Sequence, residues 1–196
     1  LGDIRDRNRV YRSMKNVDIV FHAAALKHVP SCEYNPFEAV STNVIGTENL
    51  ISAAIDNGVE KFIGISTDKA VNPINTMGAT KLLSEKIIID TSISQANTKF
   101  CCVRFGNVLD SVGSVIPIFR EQIKNKGPLT ITDKEMTRFF MTMSDAINLV
   151  LKASEITEGG EIFILKMDVI KITDLAKALI DGLGPKYGHK PQHIRI

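Results

Sequence analysis

A short apolar run that stops against a cluster of polar groups constrains this chain more than any other feature. Residues 62–65, Phe-Ile-Gly-Ile, have the length and composition of a strand buried on both faces. Ser66, Thr67, Asp68 and Lys69 follow at once, then a polar loop with Asn72, Pro73 and Asn75. A helical pattern begins near Thr76, and Lys81, four residues after Met77, lies on the same helical face. Hydroxyl, carboxylate and amine groups therefore gather where a buried strand ends. Ligands of open α/β sheets bind at that position. The stretch 62–81 reads as a site.

The rest of the chain alternates strand and helix. Residues 1–6 read as a strand end running into a turn, and 18–24 as a buried strand. A long helix is expected over 35–57, with Pro36 in its first turn and Asn57-Gly58 as its stop. A helix over 77–95, a strand over 99–105 and a helix over 114–125 come next. Short strands are expected at 129–132 and 137–142, and a helix over 144–156 with Ser144 as N-cap and Asp145 in its first turn. The chain closes on a strand at 161–165 and a helix at 173–183, with Thr173 as N-cap and Gly184 as stop. This alternation predicts an α/β fold, a Rossmann-like doubly wound parallel sheet with a small C-terminal substrate lobe. The expected division is 1–126 for the dinucleotide-binding part and 127–196 for the partly interleaved lobe.

Composition removes several function classes. With 24 Lys and Arg against 22 Asp and Glu, the net charge of +2 is too small to argue for nucleic acid or an anionic membrane surface. The basic stretch 5–12 is interrupted by Asp6 and reads as a solvated face. No apolar run approaches the ~18 residues of a membrane span. Three cysteines, two of them adjacent at 101 and 102, fit neither a disulfide framework nor metal-ligand spacing. A reducing, cytoplasmic setting is expected, including the cytoplasmic domain of a membrane-anchored protein. His22 reads as a core residue and His28 as a surface one; with His189 and His193 far along the chain, no metal site is expected.

The glycine-rich phosphate turn of dinucleotide folds is not found in this sequence. Gly182, Gly184 and Gly188 have the wrong spacing for it and follow a helix, so they read as a C-cap and loop. The chain also begins in mid-unit, and an N-terminal portion carrying that turn is expected to precede Leu1. Eight ordered segments carry a family resemblance: GDIRD, HAAALKHVP, NVIGTENL, STDKAVNP, MGATK, RFGNV, GSVIPIF and MTRFFM. Over residues 1–173 the sequence resembles the extended short-chain dehydrogenase/reductases of polysaccharide biosynthesis, and among them the UDP-N-acetylglucosamine 4,6-dehydratases, in the branch with methionine at position 77.

That resemblance implies oxidation of a UDP-sugar at C4 with bound NAD or NADP, loss of water across C5 and C6, and return of hydride to C6. The path needs a hydroxyl to orient O4, a base for C5, an acid for the C6 oxygen and a cation to hold the cofactor. The resemblance assigns Thr67 to O4, Asp68 to the leaving hydroxyl, Lys69 to the C5 proton and Lys81 to the nicotinamide ribose. A basic Lys69 must be a neutral amine and an acidic Asp68 must carry a proton; adjacent groups can share one. Met77 stands where most of the superfamily has a tyrosine base, and it cannot titrate. Asp68 or a water is the expected substitute.

Asp3 and Ile4 are expected over the adenine. Ala23, Ala24 and Ala25 are expected to let the cofactor approach the backbone, and Asn43 reads either as a satisfied helix residue or as a cofactor-site group. Lys27 and Asn107 match sugar-nucleotide contacts, and Arg138 is the diphosphate candidate because guanidinium grips phosphate oxygens in pairs. Arg104 reads as a strand residue pointing away from the site, and the 110–112 loop departs from the family pattern. The partners expected are a UDP-sugar and further copies of the same chain. Two other readings stand beside the dehydratase: a nucleotide-sugar epimerase and a non-catalytic binding relative.

Overall fold

The computed structural model describes residues 1–94, 97–111 and 113–196. The chain divides into two compact units, residues 1–105 with 147–165 and residues 106–146 with 166–196. Each unit thus takes two stretches of chain. The exchange occurs because residues 107–108 join a second sheet while 162–164 return to the first.

The first unit is built on four parallel strands in the order β1 (Ile19–His22), β2 (Lys61–Thr67), β3 (Lys99–Phe105) and β6 (Ile162–Ile164). Alternation along these strands makes two apolar faces. Phe62, Phe100 and Cys102 face Leu50, Ile51, Ala54 and Ile88, while Ile63, Cys101 and Val103 face Ala153. Phe62 and Phe100 pack with ring centroids 5.3 Å apart and planes tilted by 40°. Each such buried aromatic contributes roughly 1.5–3 kcal/mol by transfer from water. Helices cover both faces, as a doubly wound sheet requires. The adjacent cysteines are free and buried, on opposite faces of the sheet.

Several local expectations are corrected. Residues 1–3 make no strand; a turn shaped by Asp3 leads into α1 (Arg7–Ser13), capped by the Asp6 carboxylate on the Arg9 amide at 3.0 Å. β1 ends at His22 rather than Ala24, and beyond it the Leu26 amide and carbonyl are taken by the Asn43 side chain. The single helix expected over 35–57 is three contiguous pieces, α3 (Pro36–Val40), a π turn (Ser41–Ile45) and α4 (Gly46–Asp56), preceded by a short α2 (Val29–Tyr34). Asn57 and left-handed Gly58 end it as expected. α5 (Thr76–Ser94) matches its expected helix in the described residues; Gln95, its expected end, lies outside them.

In the second unit β4 (Asn107–Val108) runs parallel to β5 (Thr137–Met141), and β5 pairs antiparallel with β7 (Asp168–Lys171). Against this sheet α6 (Val115–Lys124) and α8 (Ile172–Leu183) bury Phe119, Ile123, Phe140, Ala176 and Ile180. The strand expected at 129–132 does not form, since the Leu129 amide bonds to the Arg195 carbonyl and the Thr130 amide to the Gln122 side chain. α7 (Met143–Ile156) is opened by Thr142, not Ser144. The Thr142 hydroxyl accepts from the Asp145 amide at 3.0 Å, and the Asp145 carboxylate accepts from the Thr142 amide at 3.1 Å, a reciprocal cap. Lys171, not Thr173, precedes α8 as its N-cap, and Gly184 closes it as expected.

Candidate active site

β2 delivers Thr67 at its last position, and a single 3-10 turn (Asp68–Ala70) carries the next two candidates. The turn forms because the Thr67 hydroxyl accepts from the Lys69 amide at 3.3 Å. That hydroxyl donates to Oδ1 of Asp68 at 2.9 Å, and Nζ of Lys69 donates to the same oxygen at 3.1 Å. One carboxylate oxygen is therefore wired to both a hydroxyl and an amine. All three side chains are half-buried, so a ligand can reach them.

Lys81 is buried, and its Nζ donates to the Ile65 carbonyl at 2.6 Å, tying α5 to the end of β2. Burial pushes its pKa down, against a smaller upward pull from Cys102 and Glu85. Met77 is also buried, and packs with Cys32, Ala39 and Val29. Its thioether belongs to an apolar nest. The first turn of α5 is closed from outside, with Asn75 Oδ1 accepting from the Gly78 amide at 2.8 Å and Glu33 Oε1 from the Thr76 amide at 2.6 Å.

The π turn holds Asn43 in a polar network. Its amide donates to the Leu26 carbonyl and to Thr80 Oγ1, both at 3.0 Å, and its Oδ1 accepts from the Leu26 amide at 2.8 Å. Both donors are thus used within the protein, and the effect is to clamp residues 23–27 against α5. Ala23, Ala24 and Lys27 are exposed along that segment and Ala25 is half-buried. The Thr47 hydroxyl donates to the Asn43 carbonyl at 2.6 Å and lies 2.9 Å from Nε2 of His22. Its one hydrogen being committed, Thr47 must accept from His22, which leaves Nδ1 bare. Burial, and then the Lys81 charge, lower the His22 pKa to about 3. His22 Nδ1 and Ser66 Oγ are buried without a protein partner.

Asp3 and Ile4 form a turn held by Asn49, whose amide donates to the Ile4 carbonyl at 3.1 Å. The guanidinium and amide of Arg5 bind the Asp3 carboxylate and hold its pKa down at about 2. Asn107 and Arg138 belong to the second unit, where they line a cavity of about 260 Å³ with Ser114, Thr130 and Phe140. Asn107 donates to the Phe139 carbonyl at 2.8 Å, and Arg138 is exposed. In the 110–112 loop Asp110 pairs with Arg120 at 2.9 Å, while Val112 lies outside the described residues.

Residues 1–196, the whole chain, match the family described as polysaccharide biosynthesis protein. The chain belongs to that family. An uncharacterised membrane protein of Methanocaldococcus jannaschii is 59% identical over 198 residues, covering all of this chain and 60% of its own length. A UDP-N-acetylglucosamine 4,6-dehydratase (inverting) of Campylobacter jejuni is 48% identical over 204 residues, covering 100% and 61%. A UDP-glucose 4-epimerase of Rickettsia akari is 51% identical over 188 residues, covering 95% and 55%. Among solved structures, Pen from Bacillus thuringiensis superposes with a TM-score of 0.95 at 48% identity, over all of this chain and 60% of its own. A dTDP-glucose 4,6-dehydratase of Streptomyces venezuelae, solved with NAD, shares the fold with a TM-score of 0.88 at 22% identity, covering 99% and 65%. The chain spans roughly three fifths of the length of the relatives it matches.

Sequence reasoning passed over several residues that shape the site of this family member. Glu33 and Asn75 cap α5; Asn75, an asparagine just before a helical pattern, carried a readable signal. Arg104 does not stand idle on β3. Its Nε and Nη2 donate to the two oxygens of Glu85 at 2.9 and 2.7 Å, and Glu85 lies one helical turn after Lys81. No helix of the described residues is long and apolar enough to cross a membrane.

Proposed function

We propose that this protein acts on UDP-N-acetylglucosamine as an NAD(P)-dependent 4,6-dehydratase in cell-surface glycan biosynthesis. The observation that carries the reading is the single Asp68 oxygen bonded to both Thr67 and Lys69. Oxidation at C4 requires one acceptor for the O4 proton. Elimination requires in addition a base at C5 and an acid at O6. The STDK turn supplies all of these within hydrogen-bond reach of one another.

The residues present fit a dinucleotide. Small side chains at Ala23 and Ala24 leave the backbone open after β1, and Lys81 has two N–H groups beyond the one given to Ile65. When bound, the dinucleotide supplies hydride acceptance and return. Lys81 holds its ribose hydroxyls, and Asp3 and Ile4 border its adenine. Thr67 orients O4, and the existing Thr67-to-Asp68 bond gives the O4 proton a path to a carboxylate, the role Met77 cannot take. Once C4 is a ketone and the O4 proton has passed on to solvent, the proton that Lys69 shares with Asp68 sits on the carboxylate. Lys69 as the neutral amine then removes the C5 proton, Asp68 gives its own to the C6 oxygen, and Lys69 returns its proton to C5 as C6 is reduced. Lys27, Asn107 and Arg138 bind the sugar nucleotide, Arg138 through the diphosphate.

A 4-epimerase is the second reading, favoured by the similarity to the Rickettsia akari protein. Incubation with UDP-N-acetylglucosamine and NAD, read by mass and NMR, separates the two. Loss of water with a new C6 methyl group supports the dehydratase. A C4 epimer of unchanged mass supports the epimerase, and neither product overturns both.

A further inference from the structure

We propose that Glu85 and Arg104 form a charge clamp for Lys81: Glu85 is the buried anion that keeps the Lys81 head group an ammonium, and Arg104 limits how strongly that anion acts. The inference rests on the reading of Lys81 as the group that holds the dinucleotide. It makes Glu85 and Arg104 positioning residues, because they act through Lys81.

The geometry comes first. Glu85 follows Lys81 by four residues on α5, the spacing at which side chains on a helix meet. Its side chain is 2% exposed, yet neither oxygen bonds to Lys81. Both are engaged by Arg104 in a two-pronged pair, and Lys81 turns to the Ile65 carbonyl. Three charges, two positive and one negative, are thereby buried or half-buried within one helical turn and one strand. Such a triad holds its protonation only while the anion is present.

Two other titratable groups interact with Lys81. His22 on β1 stays neutral above about pH 3. The Cys102 thiol on β3, its own pKa pushed up by burial, pulls Lys81 towards the ammonium as Glu85 does, and burial of Lys81 opposes both. Removing Glu85 leaves two cations and no anion. Removing Arg104 frees the carboxylate for Lys81 alone. The two halves of one ion pair must therefore move Lys81 in opposite directions, which a purely structural bridge cannot do.

The test is NAD affinity by calorimetry between pH 7 and pH 11 in the protein and in E85Q, R104Q, the E85Q/R104Q double variant and K81R. Affinity should fall on the alkaline side as Lys81 loses its proton. E85Q should move that fall to lower pH by about one unit or more, a roughly fivefold or greater loss of affinity at the original midpoint, and R104Q should move it up. The double variant should return it near the starting position. K81R, which cannot lose its charge, should abolish the fall. Should E85Q not fold, R104Q against R104K carries the same decision, since only the first frees the anion. Shifts of both single variants in the same direction, or an alkaline fall that persists in K81R, overturn the clamp. If the clamp fails while the unsubstituted protein still forms the dehydrated sugar, the functional reading stands; if no water-loss product forms while the opposed shifts appear, the reverse holds.

Discussion

Gly78 abuts the backbone of Lys69. A Cβ on Gly78 would overlap the Lys69 carbonyl oxygen and come within 3.1 Å of Pro73 Cβ. Neither obstacle is a flexible side-chain tip. The helix that bears Met77 and Lys81 can therefore lie against the turn that bears Asp68 and Lys69 only because position 78 lacks a side chain.

Gly78→Ala should consequently displace the Asp68–Lys69 turn from α5. Overpacking of this kind costs about 1–3 kcal/mol. Turnover should fall further than NAD affinity, because the displaced atoms belong to the turn and Lys81 keeps its bond to Ile65. Parallel measurement of kcat, NAD affinity and Tm checks this. An alanine variant with unchanged kcat shows that the turn yields without consequence.

His22 predicts the acid limb of stability. Its pKa in the folded protein is about 3 against 6.5 in an unfolded chain, so the unfolded chain binds the extra proton between those values. Stability therefore falls as pH drops from 6.5 towards 3, by up to about 4 kcal/mol from this residue. His22→Gln keeps a donor for Thr47 and removes the titration. Denaturant unfolding at pH 7 and pH 4 should show a smaller difference in the variant than in the parent; equal differences remove His22 from the acid response.

Asn43 links the segment 23–27 to α5, and Asn43→Ala leaves the Leu26 amide and carbonyl without it. The expected cost is about 2–3 kcal/mol in unfolding free energy. Asn43→Asp keeps the acceptor for the Leu26 amide and loses the donors, so its cost should differ from that of alanine. Protection of the Leu26 amide against hydrogen exchange reads the clamp directly. Undiminished protection in Asn43→Ala would show that residues 23–27 are held by something else.

The contrast between what was legible and what was not follows from the range of each interaction. β3 was readable to the residue because the apolar run 100–103 is bounded by Lys99 and Arg104, and the strand pairs along its whole length with β2 and at 102–104 with β6. The turn at 68–70 was readable because a buried strand does not run far through polar groups, and β2 takes in only Ser66 and Thr67 before it ends. The π turn was not, since one extra residue per turn barely disturbs helical periodicity over a segment as short as 41–45. The sequence Leu-Thr-Ile-Thr alternates like a strand, but its backbone partners come from Arg195 and Gln122, beyond any local pattern. β7 escaped for the opposite reason: its apolar part is only Val169-Ile170, too short a run to read as a strand. The pairing of Arg104 with Glu85 joins a strand to a helix, and no spacing rule connects them.

The last prediction separates elimination from oxidation at the STDK turn. Hydride removal from C4 needs Thr67 and an acceptor for the O4 proton, whereas water loss also needs a proton taken at C5 and one given at O6. Lys69→Met keeps most of the apolar stem and removes the amine that now bonds Asp68 at 3.1 Å. C5 deprotonation should slow by roughly 10²- to 10⁴-fold, the usual loss for a general base. Asp68→Asn removes the acid for O6 and the oxygen that accepts from Thr67 at 2.9 Å, so departure of the C6 hydroxyl should stop and oxidation should slow as well. Exchange at C5 from deuterated water, followed beside product formation, resolves the two steps. Lys69→Met should lose both exchange and product. Asp68→Asn should lose product and retain exchange in proportion to the oxidation that survives. Near-normal turnover in Lys69→Met would take this lysine out of the mechanism and turn the assignment towards the epimerase.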